Sequence, residues 1–263
     1  MKPRPLFLSL LLFAQLAVSL TVGGLGGELW RRLGMALSLL LPLVFFLRAP
    51  EGTRRPSLLP KSKKGYRALY LLPLFVLITA GVSIAWGALC AWLGIPIRGA
   101  EPYGVFGLSL LLDALLPAVC EEIFCRGALF AVLRPMGRRT AVYGSALLFA
   151  MMHASVAQIP YAFAAGLLLA LLMEGTGALL LPILFHLANN LTSLLLLFGA
   201  SVPWVYGILG VLAALGLFLL LRTAKREAWA LPAAEESERG ALRELVLSPL
   251  SAYLAVMLIF TVL

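Results

Sequence analysis

The sequence is short of charge. Asp, Glu, Lys and Arg make up 13% of its 263 residues, where a soluble domain carries about 25%. It is short of disulfide chemistry too. The cysteines Cys90, Cys120 and Cys125 all lie in apolar stretches and give no framework of bridges. It lacks the interleaved aromatic and basic pattern that reads nucleic acid, so no nucleic-acid partner is expected. What it has in excess is apolar surface, with 62% hydrophobic residues. A soluble globule of this size must still cover itself with polar groups. These shortages argue against a soluble enzyme, a secreted disulfide scaffold and a disordered chain. A polytopic membrane protein remains.

A spanning helix needs about 20 mostly apolar residues. Such runs lie near 6–22, 32–47, 67–93, 104–133, 140–156, 159–174, 178–198 and 203–222, with a shorter run at 247–263. Strands are not expected, because lipid leaves an open sheet edge unpaired. The runs also lack the alternation of an outer-membrane barrel. No internal repeat of the transporter kind stands out. The expected fold is therefore all-α, a bundle of eight transmembrane helices with 247–263 as a candidate ninth. Residues 1–263 form a single transmembrane domain with 104–198 as its core. The first run is long for a signal peptide and turns through Gly23, Gly24, Gly26 and Gly27 into the next, so it reads as a retained helix.

Basic residues set the orientation. With the N-terminus in the cytoplasm and alternating spans, 17 of the 21 Lys and Arg fall inside and Arg31, Arg32 and Arg98 outside, while Arg126 lies within a helix. That asymmetry is the positive-inside pattern. The linker 48–66 and the mixed-charge stretch 223–246 read as cytoplasmic loops. The expected location is a multi-pass protein of the cell membrane with the bilayer as partner.

Ionisable groups inside a membrane are costly and mark function by default. Within 104–198 they are Asp113, Glu121, Glu122, Arg126, Glu174 and the two histidines, His153 and His186. Glu122 and Arg126 stand i, i+4 and can pair on one helix face. Glu121 lies about 100° away around the helix, without a local partner. His186 and Asn190 share a face four residues apart. Counted from the cytoplasmic ends, Glu121 lies roughly 18 Å deep, His153 roughly 20 Å, His186 roughly 12 Å and Asn190 roughly 18 Å. Polar groups of separate helices thus converge on one slab of the membrane, where a protein-lined cavity is required. Asp113 reads as a packing or entry-path residue and Glu174 as a solvated loop charge. Asn189 reads as a supporting neighbour of the site.

Carboxylates, imidazoles and an amide around a wet cavity suit hydrolysis: a carboxylate deprotonates water, and His or Asn donates to an oxyanion. Cys120 and Cys125 read as packing residues, since apolar surroundings make a thiol inert. Glu121, His153 and His186 are also candidate zinc ligands, although the compact HExxH pattern is missing.

The segment EEIFCR, Glu121 to Arg126, matches the EExxxR motif of the CPBP intramembrane protease family. FAMMH, Phe149 to His153, matches its FxxxH motif, and HLANN, His186 to Asn190, its HxxxN motif. The order also agrees, so residues 104–198 resemble this family, which includes type II CAAX prenyl endopeptidases and bacteriocin-processing or self-immunity proteins. The resemblance implies a multi-pass helical protease with a site open to the cytosol and a polypeptide substrate, either prenylated or of leader type. Glu121 would be the general base and His153 would hold or polarise the water. His186 and Asn190 would form the oxyanion site, supported by Glu122 and Arg126. The family is labelled a metalloprotease, and a metal-free glutamate mechanism has also been advanced for it. Two other classes stay open: a catalytically silent immunity or scaffold protein, and a proton- or ion-coupled transporter. Clustering of the carboxylates on one helix speaks against the transporter.

Overall fold

The computed structural model describes residues 56–95, 104–153 and 155–199, with isolated positions between 13 and 34 and between 207 and 218. The expected spans at 6–22, 32–47, 203–222 and 247–263 lie outside the described residues apart from those isolated positions. Among the described residues every regular element is a helix, as a backbone in lipid requires. We label them α1 (Arg67–Trp92), α2 (106–133), α3 (Arg138–Met152), α4 (Ile159–Thr176) and α5 (Leu180–Gly199).

α1, α4 and α5 are long and apolar enough to cross a membrane. α3 is not. Its 15 residues rise about 22 Å, short of a hydrocarbon core of about 30 Å. The span expected at 140–156 is thus shorter at its C-terminal end, which leaves His153 as the cap of α3. The chain then turns through 155–158 before Pro160, which has no N–H to give and sits in the first turn of α4.

α2 carries Asp113, Glu121, Glu122 and Arg126 and is interrupted by two wide turns. Leu110–Leu115 and Ile123–Leu129 are π-helical. The amide of Leu116 reaches back to the carbonyl of Leu111, and that of Phe130 to Cys125. The first wide turn has a clear cause. Pro117 has no N–H for the carbonyl of Asp113, and its ring would press on that carbonyl in a regular helix. Glu121 and Glu122 end the short α-helical stretch Leu116–Glu122 between the two turns.

Two glycines make the reversals. Gly137 has φ 130° and ψ 157°, open only to glycine, and turns the chain from α2 into α3. Gly177, at φ 63°, ends α4 with its amide bonded to the Met173 carbonyl.

Small residues let α3 and α4 approach closely. Ala146 of α3 lies against Gly166 of α4, and Ala141, Ala150, Ala162 and Ala170 are buried in one cluster with both helices. A Cβ on Gly166 would lie 3.2 Å from both the Cα and the carbonyl oxygen of Ala146. One apolar cluster joins α2, α3 and α4 around Phe124, Leu129, Leu133, Leu148 and Phe149. A second joins α1, α4 and α5 around Phe75, Leu169, Leu181 and Phe185, with the Phe75 and Phe185 rings edge to face at 5.4 Å.

Contacts between elements pair matching ends. Arg134 and Arg138, at the α2–α3 turn, both bind Glu174 near the end of α4. Ser57, before α1, pairs with Ala178 between α4 and α5. Near the other end of α1, the Trp86 indole N–H donates to the Val156 carbonyl at 2.9 Å. Arg32 pairs with Asp113 near the start of α2. Helices α1 to α5 therefore alternate in direction.

Candidate active site

The site grows from Glu122, a fully buried side chain on α2. Its Oε1 accepts from Arg126 Nη1 at 2.7 Å and from His186 Nδ1 at 2.9 Å. The first bond is the i, i+4 pair read from the sequence. The second ties α2 to α5. Arg126, equally buried, donates from Nη2 to the Gly166 carbonyl at 2.8 Å, which adds α4. Its guanidinium lies 4.6 Å from the ring centre of Phe149, which adds α3. One ion pair therefore holds four helices. Each bond replaces solvation that buried charges lose. Glu122 Oε2 and Arg126 Nε are buried with no partner among the described residues.

Glu121, one position earlier, is different. Its side chain keeps 14% of its surface open, and its nearest charged partner is His186, with Nε2 at 3.9 Å from Oε2. That separation is too long for a hydrogen bond. Glu121 thus offers a carboxylate at the edge of the buried network. His186 stands between the two glutamates, with Nδ1 anchored on Glu122 and Nε2 turned toward Glu121.

His153 reaches the same place from the end of α3. Its Nδ1 donates to the Phe149 carbonyl at 2.8 Å, which frees Nε2. The Phe149 ring stands edge to face with both imidazoles, at 4.9 Å from His153 and 5.5 Å from His186. Asn190, one turn after His186 on α5, is half-buried. Its neighbour Asn189 is buried and accepts from the Thr79 hydroxyl of α1 at 2.7 Å.

The structure thus brings Glu121, Glu122, Arg126, Phe149 and His186 into one cluster, with His153 beside it and Asn190 on the helix that carries His186. Sequence reading passed over Phe149 as a contact residue, Gly166 and Thr79. Phe149 was inside a motif, but its role as a shared wall for three polar groups follows only from the crossing of α2, α3 and α5. Gly166 acts through a carbonyl, which has no signature in side chains.

The reading of Glu174 as a solvated loop charge is corrected. Arg134 donates to it twice, at 2.9 and 3.0 Å, and Arg138 once at 2.7 Å, leaving 13% of its side chain open. Chain reversal brings the positive end of α2 beside it. Asp113 pairs with Arg32, in keeping with a packing role.

Zinc ligation by Glu121, His153 and His186 finds no support in the geometry. Among the described residues no three His, Cys, Asp or Glu side chains are grouped closely enough to hold a metal ion.

Glu121 thus sits at the rim of a buried ion network, with His186 Nε2 turned toward it. Neither the curated proteins nor the solved structures contain a match to the chain. Residues 104–192, which run from the start of α2 past Asn190, match the family model described as Type II CAAX prenyl endopeptidase Rce1-like, which supports the resemblance of this stretch to the CPBP intramembrane protease family.

Proposed function

We propose that this protein is an intramembrane endopeptidase that hydrolyses peptide bonds with a glutamate-activated water and acts on CAAX-type prenylated polypeptides. The observation that carries the reading is the contrast between its adjacent glutamates. Glu122 is spent on Arg126 and His186, while Glu121 has an accessible carboxylate without a hydrogen-bond partner among the described residues. Glu121 takes a proton from water, and the hydroxide so formed attacks the carbonyl carbon of the substrate. His153 holds that water through Nε2. The carbonyl oxygen takes up negative charge facing Asn190 and, in its imidazolium form, His186. Glu121 then returns the proton to the amide nitrogen as the C–N bond breaks. Glu122 and Arg126 position His186.

The substrate class rests on the family match, since the protein's own residues speak to hydrolysis rather than to a prenyl group. The basic residues gathered at 48–67 and 134–139 support a cell-membrane protein with its N-terminus and site opening toward the cytoplasm.

The test is cleavage of a quenched farnesylated CAAX peptide by the full chain in membranes. Glu121→Gln, His153→Ala and His186→Ala, each confirmed as folded, are expected to lose cleavage. Full activity in all three would overturn the reading and favour a silent scaffold. Proton or ion flux abolished by the same changes, without cleavage by the parent protein, would favour a transporter.

A further inference from the structure

Two arginines close on one carboxylate where the α2–α3 turn meets the end of α4. Arg134 donates to Glu174 from Nε and Nη2, and Arg138 donates from Nε. Both use Oε1, so the two guanidinium groups are held next to each other. The trio keeps one positive charge in excess. Membrane orientation calls for the charge but not for this pinning, which loose lysines would supply equally well. The Arg134 Nη1 and both Nη atoms of Arg138 make no hydrogen bond among the described residues, and 48% of the Arg138 side chain is open. Paired guanidinium groups with unused N–H donors suit the oxygens of a phosphate.

Apolar surface lies close by. Gly177, three residues after Glu174, accepts at its carbonyl from the Ser57 amide at 3.1 Å, and the Leu58 carbonyl accepts from the Leu180 amide at 3.0 Å. These bonds fix the segment before α1 against the α4–α5 turn. Leu58 and Leu59 on it stay exposed, at 63% and 51%. A ligand with acyl chains as well as a phosphate uses both features, whereas free phosphate would leave the leucines in water. The positive-inside pattern puts this end at the cytoplasmic leaflet, where anionic headgroups lie.

We propose that Arg134 and Arg138, held by Glu174, form a binding site for the headgroup phosphate of an anionic phospholipid, whose acyl chains lie against Leu58 and Leu59. A singly charged phosphodiester brings the trio to neutrality. A zwitterionic headgroup carries a cation to the same place and is disfavoured.

The full chain in neutral detergent is titrated with phosphatidylglycerol and with phosphatidylcholine of the same chain length, and retained lipid is counted by native mass spectrometry. The parent is expected to hold a single phosphatidylglycerol roughly 10-fold more tightly than phosphatidylcholine. Arg138→Gln is expected to lose that preference. Arg138→Lys keeps the charge without the fork and is expected to lose most of it. Lys61→Gln combined with Lys63→Gln removes two charges from the same end of the protein and is expected to retain it, because a neutral micelle lacks the charged surface that attracts scattered lysines. Equal retention of the two lipids by the parent would overturn the site, as would a loss in the lysine variant as large as that in Arg138→Gln. Displacement of phosphatidylglycerol by excess inorganic phosphate would overturn the lipid assignment in favour of a small-anion site. Should Arg138→Gln fail to fold, Arg138→Lys decides: binding equal to that of the parent marks charge alone and refutes the clamp. Lipid binding is read without cleavage, so its outcome is separate from that of the protease reading.

Discussion

Glu121 and Glu122 are identical in chemistry and adjacent in sequence, yet one helical step leaves Glu122 fully buried and Glu121 with 14% of its side chain open. Glu122→Gln tests this. It removes the charge that balances Arg126 inside the protein, and breaking such a buried pair costs about 3–5 kcal/mol. Unfolding in mixed micelles should show that loss, and the remaining folded protein should be slow because His186 is no longer pinned through Nδ1. Glu121→Gln should instead leave stability near that of the parent while abolishing turnover. At this scale the sequence was informative. Rare polar residues in an apolar chain marked groups that the fold brings together, and the i, i+4 pairing of Glu122 with Arg126 followed from helix geometry alone. The second bond of Glu122, to His186 across 64 residues, did not, since no local spacing encodes which helices touch.

Helix boundaries and irregularities set where those residues point. α3 stops at Met152, so His153 leaves the helix at its end, and the wide turns of α2 bracket the glutamates. Apolar composition marks the helices but is blind to both, because a π turn and a regular turn bury the same side chains. Pro117 is the local clue to the first wide turn. At the α3–α4 crossing, Gly166→Ala should cost about 1–3 kcal/mol by overpacking, since the added Cβ would sit 3.1 Å from the Phe149 ring and 3.2 Å from the Ala146 backbone. Thermal unfolding measures that cost. Activity should fall further than stability explains, because the Gly166 carbonyl that Arg126 uses must shift with the helix. The Arg134–Glu174–Arg138 junction is closer to the surface, and Glu174→Gln should cost only about 1 kcal/mol with kcat unchanged.

Across the whole molecule, the basic residues and the observed contacts make one prediction about topology. Single cysteines placed at Ser57 and Arg139 in a cysteine-free background should label from one side of sealed vesicles, and one at Val105 from the other. Labelling of Ser57 and Val105 from the same side would contradict the alternation that Ser57–Ala178 and Trp86–Val156 describe. Charge asymmetry made this order legible before any contact was known. The packing of α1 against α5 through Thr79 and Asn189 was not legible, because a threonine in an apolar run carries no mark of its partner.

The span of those ties along the chain bears on how the protein is made. Thr79 meets Asn189 across 110 residues and the Ser57 hydroxyl meets the Gly177 carbonyl across 120. Contacts this far apart form late, after the loop entropy between them has been met. During synthesis the acidic pair of α2 therefore enters the bilayer well before the histidine that will face it. Until α5 emerges from the ribosome Glu122 lacks the His186 imidazole that binds it, and the buried network is complete only when the bundle closes.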